Sequence, residues 1–457
     1  MSAIRELIKY VKHPLKILPR LRDQVRYPLN RALARAWVRI RGREALRLDS
    51  PVFLYGGFGG RRYGDNGAAF FESMLQNHPE VESFWVIRKD CCPGRPGRRP
   101  IPDPSRILFR GTFRANVLTL VADALIFSHG RYDITDYAVS ETPEALNVML
   151  DHGITGLKRE GRVAGTSMEL DLIASSSRGE AEIHEKEWGI PPGKIAITGL
   201  ARHDRLLSRK KIPSGRGADI LFMPTWREWN SRKVSLTRTG FFSEIRSFLL
   251  DPQLAEILDQ GRIRLRLYVH MWMREFFEEF RREFEAGPIE VLDQEIDLQE
   301  VLLGSSLLIT DYSSISWDFL LLDKPVLFYQ FDLDDYLQRT GAYLDLEKNL
   351  FGPVALTANE AVYWVRHFVE NDFSTVPFTD VMERAKEFAF AYRDGKNCER
   401  LAAEILKRKS LGRESAAGRP QKASLSGRTR VLGCRGAGSG QTILRFSQSR
   451  LRRENTH

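Results

Sequence analysis

From about residue 51 the chain breaks into short apolar runs separated by longer mixed segments. The first runs are Val52–Tyr55, Phe84–Ile87, Ile107–Phe109, Ala124–Phe127, Val148–Leu150, Leu172–Ala174 and Ile195–Thr198. Bounded by Gly, Pro or polar residues and rich in Val, Ile and Phe, they predict buried parallel strands. A second series follows at Ile220–Met223, Leu265–Val269, Ile289–Leu292, Leu307–Thr310 and Val326–Tyr329. Between the two lies Ser208–Gly217, rich in Lys, Arg, Gly and Pro, which reads as a linker. Val381–Lys407 is apolar at helical spacing and is expected to be a closing helix packed on the second domain. No internal repeat interrupts this plan.

Two successive strand–helix series predict two doubly wound, Rossmann-like α/β domains facing a cleft, with ligands at the carboxyl ends of the strands. The expected domains are 49–207 and 218–409, an architecture of the GT-B type. A chain of 457 residues with 42% hydrophobic residues has the length and apolar content for two cores.

Charge divides the chain differently. The net +10 resembles a nucleic-acid footprint until it is split: residues 1–48 carry +10 and residues 410–457 carry +8, leaving −8 for the body. In Leu29–Ile40, the apolar Leu29, Leu33, Trp37 and Ile40 share one helical face and Arg31, Arg35 and Arg39 another. Such a helix suits either an anionic membrane surface or packing on its own domain. Residues 410–457, rich in Ser, Gly and Arg, are expected to be disordered. Their Gly436–Gly440 run lacks the preceding strand and following Lys of a phosphate loop.

Cys91, Cys92, Cys398 and Cys434 show neither a disulfide framework nor zinc-ligand spacing. The longest apolar stretch, Val117–Phe127, is too short to span a bilayer and contains Asp123. The basic N-terminus lacks a signal-peptide core. These features predict a cytoplasmic protein, peripheral on the inner face of the cell membrane.

The sharpest chemical segment is Leu307–Phe319, an apolar strand, a hydroxyl-rich turn holding Thr310, Ser313 and Ser314, and an amphipathic helix with Asp318. Ser313 or Ser314 is placed to cap that helix, whose first-turn N–H groups favour an anion. Leu321–Tyr329, Asp332–Tyr336 and Gly352-Pro353 follow in order. Together these segments resemble the CDP-glycerol glycerophosphotransferase family, enzymes that build teichoic-acid-like poly(alditol phosphate) chains. Upstream, the resemblance extends to Leu146–Gly153 with His152 and Lys158, and to Thr198–Asp204 with Arg202 and Asp204. It continues through Ile220–Arg227 with Pro224 and Thr225, His270, and Asp394-Gly395. It runs from about Val52 to Leu406 and departs around the His-Gly pair, where one extra residue also precedes Lys158. The family usually has Trp before its His-Gly pair and Thr-Pro after it, where this chain has Asp151 and Ile154-Thr155-Gly156.

The resemblance implies attack by an acceptor hydroxyl on the β-phosphorus of CDP-glycerol or a related CDP-alditol, with release of CMP. His152 would be the general base, a task suited to imidazole near neutral pH. His270, Ser313, Ser314, Thr310, Pro224, Thr225 and Arg202 would surround the donor's phosphates and nucleotide, stabilising charge as it develops. Asp151 beside the base would orient it, with Lys158, Asp204 and Asp318 as supporting residues. His129, in the rival Ser128-His129-Gly130 strand end, is kept as a substrate contact. No cofactor is required; Asp332 and Asp334 leave a divalent cation open as the alternative neutraliser of a diphosphate. The acceptor would be lipid-linked or polymeric. Two rivals remain at this point: a UDP- or GDP-sugar transferase of the same architecture, and a non-enzymatic binder of membrane or nucleic acid, the latter disfavoured by the acidic body.

Overall fold

The computed structural model describes residues 17–46, 48–91, 98–159, 169–209, 219–227, 229, 239–269, 287–293 and 296–417. All twelve predicted runs form strands. In the first sheet, β1 is Val52–Gly56, β2 Glu82–Ile87, β3 Ile107–Phe109, β4 Ala124–Phe127, β5 Leu146–Met149, β6 Leu172–Ser175 and β7 Ile195–Ile197. They lie in the order β3-β2-β1-β4-β5-β6-β7, and every pairing is parallel. The second sheet holds β8 (Asp219–Met223), β9 (Arg264–Leu267), β10 (Ile289–Val291), β11 (Ser305–Thr310), β12 (Val326–Tyr329) and β13 (Val354–Ala355). Its order is β10-β9-β8-β11-β12-β13, again parallel throughout. Continuous burial along β1, β4, β11 and β12 explains why their sequences read as unbroken apolar runs, since both faces are covered by helices. In both sheets the order reverses beside the first strand, at β1/β4 and at β8/β11. Loops leaving those strand ends are where ligands bind in such folds.

The closing segment departs from expectation. It is two helices, Thr379–Ala389 and Asn397–Ala417, broken where Gly395 adopts φ +71. The second packs on the first sheet, not the second: Leu401, Ala402 and Ile405 join Phe53, Tyr55, Phe70 and Ala174 in one core. Asp204 fixes this crossing by accepting from the N–H groups of Asn397 (3.0 Å) and Cys398 (2.7 Å) at the start of the helix. Asp204 therefore anchors the fold. The helix also continues to Ala417, inside the segment expected to be tail; residues 418–457 lie outside the described residues.

The N-terminal helix, Ile17–Arg41, turns arginines towards the body and an apolar row away from it. Ala34 and Val38 pack against Leu120, Val121 and Tyr137. Arg31 donates to Asp136 O at 2.7 Å and Arg35 to Glu141 at 2.6 Å, so these arginines dock on the body. Leu29, Leu33 and Ile40 point outward, 54%, 50% and 79% exposed, with Trp37 between them.

Lys324 shows how the second core is held. Its buried ammonium donates to the carbonyls of Leu302 (2.9 Å), Leu303 (2.9 Å) and Ser305 (2.7 Å), where the helix Leu298–Gly304 runs into β11. A cation is favourable at the negative end of a helix, and here it also satisfies carbonyls removed from water. Lys324→Met is expected to lower stability by about 3 kcal/mol, the order found when one side of a buried charged contact is removed. Urea unfolding followed by circular dichroism measures the loss; an unchanged midpoint would count against this account.

Candidate active site

β5 ends at Met149 and the chain turns sharply. Asp151, buried, takes φ +57, a left-handed conformation that Asp tolerates better than most residues. Its Oδ1 accepts from the His152 backbone N–H at 2.6 Å and lies 2.9 Å from His152 Nδ1. The His152 side chain is 42% exposed, with Nδ1 turned to the buried carboxylate. The rival histidine is its neighbour: His129, in the loop after β4, stacks on His152 at 5.0 Å and 14°. Asp133 holds that loop, accepting from the N–H groups of His129 (2.9 Å), Ser128 (3.2 Å) and Gly59 (2.7 Å).

The loop that carries His152 meets the second sheet directly. A methyl group on Gly153 would lie 2.2 Å from Ser314 Oγ, so only glycine permits the approach. Beneath this contact, Arg202 is buried and fully engaged. Its guanidinium donates to both oxygens of Asp318 (3.1 to 3.2 Å), to Asp65 (2.8 Å) and to the carbonyl of His152 (2.7 Å). Arg202, expected beside the donor's phosphates, directs Nε, Nη1 and Nη2 to these partners and so ties the His152 loop to the helix Ile315–Leu321. Asp318 is the other half of that tie and also lies 3.1 Å from His203 Nε2.

Two further phosphate candidates are occupied in the same way. Thr310 directs its hydroxyl to Met223 O at 2.7 Å, tying β11 to β8. Thr225 gives both its N–H (3.0 Å) and its hydroxyl to Asp311. Asp311 is paired in turn with Arg227 at 2.9 Å, and Arg227 grips Asp332 through two bonds of 2.7 and 2.8 Å. Asp332, half of the pair weighed as a metal ligand, is thus already neutralised by an arginine. Pro224 is buried at the end of β8, and Lys158 lies half-buried in the loop beyond His152. Ser313 and Ser314 remain half-buried at the turn. Ser313 Oγ accepts at 3.5 Å from Ile315 N–H, while Ser314 makes no side-chain cap. His270 lies outside the described residues.

Behind Asp151 sits a buried group that the sequence did not single out. Glu180 and His184, one turn apart on the helix Arg178–Lys186, complete a trio with Asp151 in which one donor atom from each lies within 4.8 Å of the others. Glu180 accepts from Thr155 N–H (2.7 Å) and Ser176 N–H (2.6 Å), joining the His152 loop to the turn after β6. His184 Nδ1 meets Ser175 Oγ at 2.8 Å, and its Nε2 faces Asp151 Oδ2 at 3.9 Å. Both Glu180 oxygens and Asp151 Oδ1 accept hydrogen bonds from residues around the trio, so the cluster is tied into the loops on either side of it. Burial, then the charge of Asp151, pushes the Glu180 carboxyl up to about 7; burial pushes His184 down to about 4 despite Asp151. The Asp151 carboxylate, although buried, is held below its ordinary value by His152. Only burial distinguishes Glu180 and His184 from the other charged residues of Arg178–Lys186.

Two doubly wound sheets whose strand-end loops meet, a histidine on one and a serine turn on the other, define a two-domain transferase architecture of the GT-B type. The sequence pattern of the CDP-Glycerol:Poly(glycerophosphate) glycerophosphotransferase family matches residues 40–407, and the chain belongs to that family. It is 22% identical over 360 residues to the minor teichoic acid biosynthesis protein GgaB of Bacillus subtilis, covering 75% of this chain and 38% of GgaB. It is 25% identical over 388 residues to the teichoic acid poly(glycerol phosphate) polymerase of Bacillus subtilis, covering 78% and 48%. The chain therefore spans less than half the length of these two relatives. The teichoic acid glycerol-phosphate transferase of Staphylococcus aureus is 25% identical over 335 residues, covering 66% and 80%. Among solved structures, the wall teichoic acid polymerase TagF shares the fold, with a TM-score of 0.65 at 18% identity over 90% of this chain and 99% of that one.

The buried trio carries a pH signature. Between about pH 4.5 and 6.5, folded Glu180 keeps a proton that the unfolded chain loses, while folded His184 lacks one that the unfolded chain holds. The two slopes therefore oppose each other in the native protein. In Glu180→Gln only the histidine remains, and stability is expected to fall as pH drops from 6.5 towards 4. In His184→Gln only the carboxyl remains, and stability is expected to fall as pH rises from 4.5 towards 7. Each slope has a ceiling of about 1.4 kcal/mol per pH unit. Urea titrations across this range test the signs; three parallel curves would refute the assignment.

Proposed function

We propose that the chain transfers glycerol phosphate, or a related alditol phosphate, from a CDP-alditol to an acceptor hydroxyl, in synthesis of a teichoic-acid-like or capsular polymer. Family membership supports the reaction class. The observation that supports the assignment to this site is the half-exposed His152, held through Nδ1 by a buried carboxylate, with the next residue, Gly153, lying against Ser314 of the serine turn.

An alcohol is a weak nucleophile at neutral pH. His152 Nε2 takes the acceptor's proton as its oxygen bonds to the β-phosphorus. The bond from that phosphorus to the bridging oxygen breaks, and CMP leaves with the electron pair. Asp151 stabilises the imidazolium formed, as a buried carboxylate does for a catalytic histidine. Ser313 and Ser314 donate to the donor's phosphates, where charge is redistributed during transfer. His270 joins them on the strength of the family resemblance. His129, stacked on the base, and Lys158 line the acceptor side. The acceptor is a lipid-linked primer or growing polymer, and no cofactor takes part.

We also propose that the row Leu29, Leu33, Trp37 and Ile40 lies in an anionic membrane surface beside that acceptor, since these side chains face outward while the arginines behind them dock on the body. No helix of the described residues is long and apolar enough to cross a membrane.

CMP release from CDP-glycerol, CDP-ribitol, UDP-sugars and GDP-sugars, with the product sized afterwards, tests the donor. Turnover of a nucleotide sugar but not of CDP-alditols would replace this reading with sugar transfer. His152→Ala is expected to reduce CMP release by at least a thousandfold while remaining folded, in line with loss of a base acting with an oriented partner. Ser314→Ala is expected mainly to raise KM for the donor, by about tenfold, the weight of a hydrogen bond to a charged group. Replacing Leu33 and Ile40 by Ser is expected to reduce sedimentation with phosphatidylglycerol vesicles while leaving turnover of a soluble acceptor intact. Undiminished sedimentation would remove the helix from membrane contact.

A further inference from the structure

The base is held by one carboxylate, and that carboxylate is not held by solvent. Asp151 is almost fully buried and adopts a left-handed backbone that costs energy unless its surroundings enforce it. Its Oδ1 is committed to His152, and its Oδ2 has no hydrogen-bond partner among the described residues. The atom opposite Oδ2 is His184 Nε2, 3.9 Å away, buried and likewise without a hydrogen-bond partner. On the far side of that ring, Nδ1 meets Ser175 Oγ, and Trp188 packs on its face at 4.4 Å. The tautomer with its proton on Nε2, accepting the Ser175 hydroxyl at Nδ1, aims an N–H at the oxygen that lacks one.

Glu180 completes the enclosure. One of its oxygens holds Thr155 N–H, four residues beyond Asp151 in the loop that carries the base; the other holds Ser176 N–H after β6. The loop is thus pinned from below by Glu180. It is pinned from the seam by Arg202, which binds His152 O, and by Asn66, which donates to Asp151 O at 3.0 Å. Among the described residues, the titratable groups acting on this cluster are His152, through Asp151, and the trio itself. This chain has Asp where the resembled family usually has Trp before the histidine, and Glu180 and His184 stand behind that Asp.

We propose that Glu180 and His184 are positioning residues for transfer, acting through Asp151: the buried His184 ring, with Nε2 3.9 Å from Oδ2, backs the carboxylate that is aimed at His152 Nδ1, and Glu180 fixes the loop on which both stand. This rests on the reading of His152 as the base. A carboxyl at Glu180 that titrates near neutrality supports it, because its ionisation places a second negative charge beside the Asp151–His152 pair.

The test is steady-state CMP release by the full chain with CDP-glycerol, across pH, for the wild type, Glu180→Gln, His184→Leu, His184→Gln and His152→Ala, each checked by circular dichroism. Glu180→Gln and His184→Leu are expected to lower kcat by about tenfold with donor KM within about twofold, the pattern of a lost transition-state contact. His184→Gln keeps an N–H that reaches Asp151 and is expected to recover most of the loss. In Glu180→Gln the negative charge that favours the imidazolium never appears, so the acidic limb of the kcat profile is expected to move to lower pH. If His152→Ala is inactive but the Glu180 and His184 variants keep wild-type kcat and profile, the proposal is overturned and the base assignment stands. If they lose rate through donor KM alone, with the limb unmoved, their role is structural only and the proposal fails. If His152→Ala is active, the base assignment fails and the proposal with it. Should Glu180→Gln not fold, the contrast of His184→Leu with His184→Gln decides.

Discussion

Everything at the site depends on one buried cation. Arg202 stands between the two sheets, where a guanidinium without partners would cost several kcal/mol in lost hydration. It avoids that cost only while Asp318 from the second sheet and Asp65 and the His152 carbonyl from the first all reach it. The requirement works in both directions. The sheets cannot separate without stranding three charges, and the loop holding His152 cannot shift without losing its carbonyl's donor. Asp318 and Asp65 are in turn fixed by backbone: Asp318 lies in the helix after the serine turn, and Asp65 opens the helix Asp65–Asn77 in a left-handed conformation. A single electrostatic demand thus ties both strand-end regions to one geometry.

A second cation repeats the arrangement within the second sheet. Arg227, buried beneath stacked Tyr312 and Tyr336, is neutralised by Asp311 and Asp332. It orders the turn between β11 and the serines much as Arg202 orders the seam. Thr310 and Thr225 spend their hydroxyls within this framework, while Ser313 and Ser314 stand half-buried at the outer corner of the turn.

The strands were legible because burial on both faces leaves an unbroken apolar run, a signal that survives without knowledge of neighbours. The two-residue β13 was not, for Val354–Ala355 is too short to carry any pattern. The destination of the last helix was equally hidden. Apolar spacing shows that a helix has a buried face but not which core it covers, and here the answer hangs on Asp204 capping it from the first sheet's side. Polar residues posed the same difficulty at the site. Motif order picked out Arg202, Thr310 and Thr225, yet whether a donor is free or spent internally is decided by residues up to 116 positions away, as for Arg202 and Asp318. Glu180 and His184 lay in a run of mixed charge whose bland reading, a solvated helix face, is usually right; only their burial shows otherwise.

Gly153 gives the seam a further property. With hydrogen in place of a methyl group, the backbone of one sheet rests against a serine hydroxyl of the other, leaving no flexible side chain to take up slack. The span from base to serine turn is therefore gauged by a hard contact, like two jaws closing on a stop. A side chain at position 153 would push the two apart, so the spacing of the base loop and the serine turn is written into the absence of a Cβ.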